Sequence, residues 1–236
     1  MATSTPKSAF LQGVRDGAPF VVVVAPFAVL FGVLATEAGL SVFEALMFSV
    51  VVIAGSAQFT ALSLMQTDTP TLIVLASALA VNLRMAMYSA SITPHLGALP
   101  LWKRAVAAYF LVDQTYAFSI AKYEAEPQMS TAEKLAYFFG TVAPTCPFWY
   151  IFTLVGALIG QQVPASWGID FIMPLTFLAM IGPMLRTPAH MVAAFVAAAA
   201  ALAFAWVPYN LGLLVAGTIG MIAGAQAELW AQRARA

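Results

Sequence analysis

The chain holds one cysteine, Cys146, and two histidines, His95 and His190, in 236 residues. One cysteine excludes a disulfide framework and a cysteine-ligated metal site, and two distant histidines make no His-rich metal centre. Charge is almost as scarce. Asp, Glu, Lys and Arg form 8% of the chain and balance to a formal net charge of zero. Nothing therefore favours nucleic acid or an anionic lipid surface as partner. No nucleotide or hydrolase motif is visible, and Ser56 lacks a His partner in sequence reach, so an enzyme and a cofactor are not expected. Hydrophobic residues fill the space, at 62% with a mean hydropathy of +0.89. Soluble domains are about half apolar and roughly a quarter charged. The composition reads as an all-α polytopic membrane protein, one integral membrane domain over residues 1–236.

A span needs roughly 20 apolar residues. Eight segments qualify in whole or part: about Pro19–Ala35, Phe43–Met65, Leu72–Thr93, Arg104–Ala121, Leu135–Gly160, Ile169–Leu185, His190–Trp206 and Tyr209–Glu228. Only the Val207-Pro208 turn separates the last two, so seven spans or eight segments fit equally. The N-terminus is polar and lacks a short apolar region with a cleavage site, so no cleaved signal is expected. Lys7, Arg15, Arg233 and Arg235 place both termini in the cytoplasm, and Glu37 and Glu44 place the first loop outside. Lys103 and Arg104 fall outside in a simple zigzag, but inside if segment two does not fully cross. Its middle, AGSAQF at 54–59, loses hydrophobicity where a span should peak, which suits a broken or re-entrant helix.

An internal echo runs along the chain. PFAVLFGVLATEAG from Pro26 matches PFWYIFTLVGALIG from Pro147, and MFSVVVIAGSAQF from Met47 matches MPLTFLAMIGPML from Met173. Residues 10–121 and 135–228 are thus candidate repeat units, inverted if segments two and six are both re-entrant. Transporters often carry such repeats, with the site at their interface.

Two charges stand at bilayer depth. Arg84 is about 12 residues into segment three, past mid-bilayer at helical rise. It either snorkels to the interface or offers a fork for a carboxylate. Asn82 lies on another helical face, with Met85, Ala86 and Ser89. Asp113 sits halfway along segment four, and Tyr109, Asp113 and Tyr116 share one face of a continuous helix. Asp113 could exchange a proton, bind an ammonium group, or pair permanently with Arg84; Gln114 adds a neutral polar partner. Gly55 allows close packing or a break. After a break, Ser56, Ala57 and Gln58 present free N–H groups to an anion; without one, the stretch is a small-residue seam. Pro26, Pro144 and Pro147, with Pro174 and Pro183, lie within apolar segments, and Pro144 and Pro147 together could interrupt a helix. His190 reads as interfacial and Cys146 as a packing residue.

The order of these stretches resembles the AzlC-type proteins: the opening FLQGVRDGAPFVVVVAPFAVLFGVLATEAGLSVFEALMFS, then VVIAGSAQFTAL, NLRMAMYSASITPHL and VDQTYAFS. The resemblance is densest from Phe10 to Ser119. It departs at Gln114, where an acidic residue is expected after Asp113. It implies the large subunit of a branched-chain amino acid exporter in a bacterial inner membrane, moving Leu, Ile, Val and perhaps Met, with a small AzlD-type membrane subunit. The residues agree. A zwitterion with an apolar tail needs a carboxylate site (Arg84 or the 54–58 break), an ammonium site (Asp113 with Asn82 or Gln114) and an apolar pocket. Asp113 is the expected proton-coupling group. Another small metabolite or anion, or a scaffold locked by Arg84 and Asp113, are the alternatives.

Overall fold

The structure, a computed structural model, describes residues 5–160, 185, 187–208 and 211–233. Segment six, with Pro174 and Pro183, lies outside the described residues except for Leu185, so the second half of the echo is not followed through. Among the described residues the regular structure is helical and no strand occurs. They form two compact units. One draws on the chain up to Leu62 and from Val81 to the end of the Thr131–Gly160 helix; the other draws on Ser63–Ala80 and the C-terminal helices.

Among the described residues, four helices are long and apolar enough to cross a membrane: Pro6–Glu37, Thr71–Leu96, Thr131–Gly160 and Leu211–Arg233. In the first, α1 (Pro6–Gly17) passes through a tight turn at Ala18–Phe20 into α2 (Val21–Glu37). Its 32 residues reach about 48 Å at ~1.5 Å each, well beyond a ~30 Å hydrocarbon layer. The polar first turns, opened by a Thr5–Ser8 capping box, therefore project past it. α5 is Thr71–Leu96 and α8 is Thr131–Gly160.

Pro26, Pro144 and Pro147 do not interrupt their helices. α8 continues through Pro144 and Pro147, and α2 through Pro26. Thr141 and Thr145 donate their hydroxyls to the carbonyls of Phe138 and Thr141, at 2.7 and 2.8 Å. These add donors to a backbone that two prolines have depleted. Packing does the rest. Gly13 faces Tyr137 and Gly140, Gly17 faces Thr141 and Pro144, Gly32 faces Thr153 and Ala157, and Gly156 faces Val29. Small residues let the two backbones touch, as is usual where helices pack in lipid. The paired numbers rise together, so α1–α2 and α8 run parallel. The first long helices of candidate units starting near residues 10 and 135 therefore point the same way.

The breaks lie elsewhere. Segment two is two half-helices, α3 (Val42–Val51) and α4 (Gly55–Met65). α3 begins with a capping box between Ser41 and Glu44. Segment four, expected to be continuous, also splits, into α6 (Leu101–Tyr109) and α7 (Asp113–Ala125). Tyr109 and Asp113 therefore share no helical face. Half-helices of 9 to 13 residues reach about 14–20 Å, near half a bilayer.

Both pairs turn back. Along α7, Asp113 meets Arg84, Tyr116 meets Tyr88 and Ser91, and Tyr123 meets His95. α7 thus runs with α5, and α6 climbs against it. Along α8, Lys134 meets His95, Trp149 meets Gly55, Thr153 meets Ser49, and Gly156 meets Val29. Phe48 and Phe59 both pack on Phe31, while Gly55 sits a turn lower at Trp149. α3 descends and α4 climbs back. Each segment is a re-entrant hairpin, and they enter from opposite ends.

These directions disclose a repeat shorter than the echo. α2–α3–α4 and α5–α6–α7 each comprise a long helix followed by a half-helix hairpin, and the two are inverted. Their boundaries recur 58 to 60 positions apart: Val42 and Leu101, Val51 and Tyr109, Gly55 and Asp113, Met65 and Ala125. One end of the unit gathers Lys7, Arg15, Lys103, Arg104, Lys122 and Lys134; Glu37 and Glu44 lie at the other. In the second unit, Pro188–Ala203 packs against Leu211–Arg233 through Gly220 on Ala197 and Gly224 on Ala193. Falling numbers against rising ones make this pair antiparallel. His190 sits in its first turn, where its backbone N–H is bonded to the Thr187 hydroxyl.

Candidate functional site

The two hairpin tips, 52–54 and 110–112, converge on the middle of α5. Arg84 is the fourteenth of its 26 residues. Its Nη2 donates to Ser56 Oγ at 2.7 Å and stands 3.0 Å from Asp113 Oδ2. Ser56 belongs to the first turn of α4 and Asp113 opens α7, so one guanidinium ties both half-helix N-termini. The snorkelling alternative is not what the structure shows. A charge at the bilayer centre costs about 2.5–3.5 kcal/mol on insertion scales, and here it is held by a carboxylate rather than lifted to the interface.

Tyr88, one turn after Arg84, donates to Asp113 Oδ1 at 3.0 Å. Its ring stacks on Tyr116 at 4.2 Å between centroids, and Tyr116 donates to Ser91 Oγ at 2.9 Å. Sequence reasoning missed Tyr88, although its i+4 spacing from Arg84 was readable. The cluster keeps access: the Arg84 and Asp113 side chains are 34% and 40% exposed.

The other candidates divide. Gly55 is covered by Trp149, whose ring comes 2.9 Å from where a Cβ would stand. Gln58 is fully buried. Its amide donates to Ser49 Oγ at 3.0 Å, and Ser49 bonds Thr153 of α8 at 3.1 Å. Asn82 and Gln114 do not join the Arg84 cluster; Asn82 keeps a buried carbonyl oxygen with no partner. Gln58 Oε1, Trp149 Nε1 and Arg84 Nε are likewise buried and unpartnered. Among the described residues no group of His, Cys, Asp and Glu could hold a metal ion, and Cys146 is buried in packing.

The break that places Asp113 has a local cause. Thr115 Oγ1 accepts from the Val112 N–H at 3.0 Å and lies 2.8 Å from the Phe110 carbonyl. One hydroxyl thus serves both sides of the interruption. Thr115→Val keeps the shape and deletes this staple. It is expected to cost about 1–3 kcal/mol, read as a lower unfolding midpoint of the purified protein in detergent. The tips are also tied directly: Tyr109 donates to the Val50 carbonyl at 2.6 Å and bonds Tyr150 at 2.9 Å.

The electrostatics favour an anion. A helix N-terminus carries up to about +0.5 charge, and two of them meet here beside a guanidinium. Asp113 offsets only part of that. The first N–H groups of α4 also have no intrahelical partners.

Residues 19–163 match the family described as AzlC protein. The chain is 26% identical over 192 residues to the inner membrane protein YgaZ of Escherichia coli, covering 77% of each chain. It is 30% identical over 229 residues to an uncharacterized membrane protein of Archaeoglobus fulgidus, covering 95% of this chain and 94% of that one. A Helicobacter pylori membrane protein is 26% identical over 176 residues, 72% of this chain and 75% of the relative. No solved structure matches. A family match over more than half of the chain, a full-length relative that is itself a membrane protein, and four helices fit to cross a bilayer agree: the chain is an integral membrane protein of the AzlC family.

Proposed function

We propose that the protein is a secondary transporter that exports the branched-chain amino acids Leu, Ile and Val, and also Met, coupled to protons and together with a small AzlD-type membrane subunit. The observation that carries this reading is the Arg84–Asp113 pair at the meeting point of two half-helix N-termini. A zwitterion fits the groups left over there. Its carboxylate suits Arg84 and the first turn of α4; its ammonium suits Asp113.

The pair also supplies a coupling step. A cargo carboxylate competes with Asp113 for Arg84. Asp113, once released, takes either the ammonium group or a proton, so cargo and proton alternate on one carboxylate. The charges at the two ends support a cytoplasmic N-terminus, since Lys7, Arg15, Lys103, Arg104, Lys122 and Lys134 gather at the α1 end, opposite Glu37 and Glu44. Such a protein belongs in the bacterial plasma membrane.

The test is efflux from exporter-deficient cells loaded with Val- or Leu-containing dipeptides, with and without the small subunit. Export of the freed amino acid is expected when both subunits are present. Its absence, with both proteins in the membrane, overturns the cargo. Asp113→Asn is expected to remove the response of efflux to an imposed pH gradient. A variant that keeps the full response excludes Asp113 as the coupling group.

A further inference from the structure

Between the second half of α5, α6 and α8 lies a cavity of about 320 Å³. Arg104 stands at one end of its lining. Leu111, two residues before Asp113, stands at the other, with Ile92 and Phe138 as walls and the exposed Ser89 and Thr93 facing in. It therefore leads from the cationic end of the unit toward the Arg84 cluster.

The inverted repeat assigns this cavity a counterpart. At the 58-residue offset that relates Val51 to Tyr109 and Gly55 to Asp113, Ser89, Ile92, Thr93 and Ala107 correspond to Phe31, Leu34, Ala35 and Ser49. Those four are at most 1% exposed. The reason is visible. Phe31 packs edge-on against Phe48 at 5.5 Å and against Phe59 at 5.7 Å, whereas the equivalents of Phe31 and Phe48 are Ser89 and Val106. One groove is open and its mate is filled by aromatic rings.

We infer that the α5–α6 cavity is the access path for cargo from the Arg104 end, and that the α2–α3 groove is the matching path from the other end, shut here by Phe31 and Phe48. Transport then exchanges the two: one groove opens as the other packs. Each hairpin is the gate of its own side, and the Tyr109–Val50 bond couples their tips. The walls are largely apolar with a cation at the mouth, which suits an amphipathic anion or zwitterion. The inference rests on the transport reading, because a path needs a cargo.

Cysteine labelling tests it without any cargo. In a Cys146→Ala background, Thr93→Cys and Ala35→Cys occupy equivalent positions. A membrane-impermeant anionic methanethiosulfonate is applied to vesicles from either face. Thr93→Cys is expected to react at least about tenfold faster from the Arg104 face than from the other, and Ala35→Cys to react from neither. Phe48→Leu, or Phe31→Leu should the first not fold, loosens the closed groove. Ala35→Cys then gains about tenfold or more from the opposite face while Thr93→Cys slows, as a two-state exchange requires. An inert Thr93→Cys means a lipid-filled groove and overturns the inference. So does an Ala35→Cys that stays silent, or a rise at both positions together. Reciprocal labelling without amino acid efflux leaves the inference standing and removes the proposed cargo; efflux without reciprocity does the reverse.

Discussion

Arg84→Ala is expected to lower efflux about 100-fold or more. The guanidinium makes two contacts at 2.7 and 3.0 Å that no other side chain can replace. Hydrogen bonds to charged groups contribute about 1.5–3 kcal/mol each, and roughly 1.4 kcal/mol is a factor of ten. The substitution also leaves Asp113 without its cation, with the Tyr88 hydroxyl still bonded to it. Arg84→Lys keeps the charge but loses the fork, so it should retain only a small part of the activity. A charge swap, Arg84→Asp with Asp113→Arg, separates site from lock. If the pair only holds the hairpins together, the swap restores both the folded protein and whatever activity the protein has. If Arg84 receives a carboxylate beside the α4 N-terminus, the swapped protein folds better than either single variant and still exports nothing. Normal efflux from Arg84→Ala rules out the site as drawn.

Gly156→Val should remove most of the folded protein from the membrane. A Cβ at Gly156 collides with the backbone carbonyl of Val29, and one at Gly32 collides with the carbonyl of Thr153. Neither obstacle is a side chain that can rotate away. The α1–α2 and α8 backbones must part, and with them the framework on which both hairpins rest. Overpacking usually costs about 1–3 kcal/mol where neighbours can adjust; here they cannot, and about 3 kcal/mol or more is expected. Gly217, with nothing within 4 Å of its would-be Cβ, is the control: Gly217→Ala should be neutral or slightly stabilising. The measurement is the amount of detergent-extracted protein that runs as a single species, and its unfolding midpoint. Equal behaviour of the two variants would mean the seam is looser than it looks.

The local sequence announced some of this and concealed the rest. AGSAQF reads as a break because small and polar residues interrupt an apolar run, and α3 and α4 part just before it. Arg84 and Asp113 stand out because charge is rare here. Their contact needs both hairpins, which no local pattern encodes. The break at 110–112 stayed hidden because Phe110, Leu111 and Val112 are apolar; the staple that opens the helix is Thr115, an ordinary residue in a helix. The opposite error came from Pro144 and Pro147. Proline weakens a helix only as far as its surroundings allow, and α8 runs unbroken through both prolines against a partner helix with glycines at the contact. Gln58 stands out by its polarity; its amide ties α4 to Ser49 of α3, and Ser49 in turn bonds Thr153 of α8. The side of Lys103 and Arg104 turned on whether segment two crosses; with α3 and α4 forming a hairpin, the pair lies at the same end of the unit as Lys7 and Arg15.

The bond between Ser49 and Thr153 joins residues 104 positions apart, and this sets an order of assembly. During synthesis at about 5–20 residues per second, roughly 5 to 20 s separate the two. For that interval the first hairpin has been made while the helix that satisfies its polar core does not yet exist. Neither half-helix is long enough to be released into lipid as a span of its own. The hairpin must therefore wait at the insertion machinery or at the membrane surface, and slot into place only when α8 arrives beside α2. The birth of this protein is a late closure around a polar centre rather than a sequential laying-down of spans.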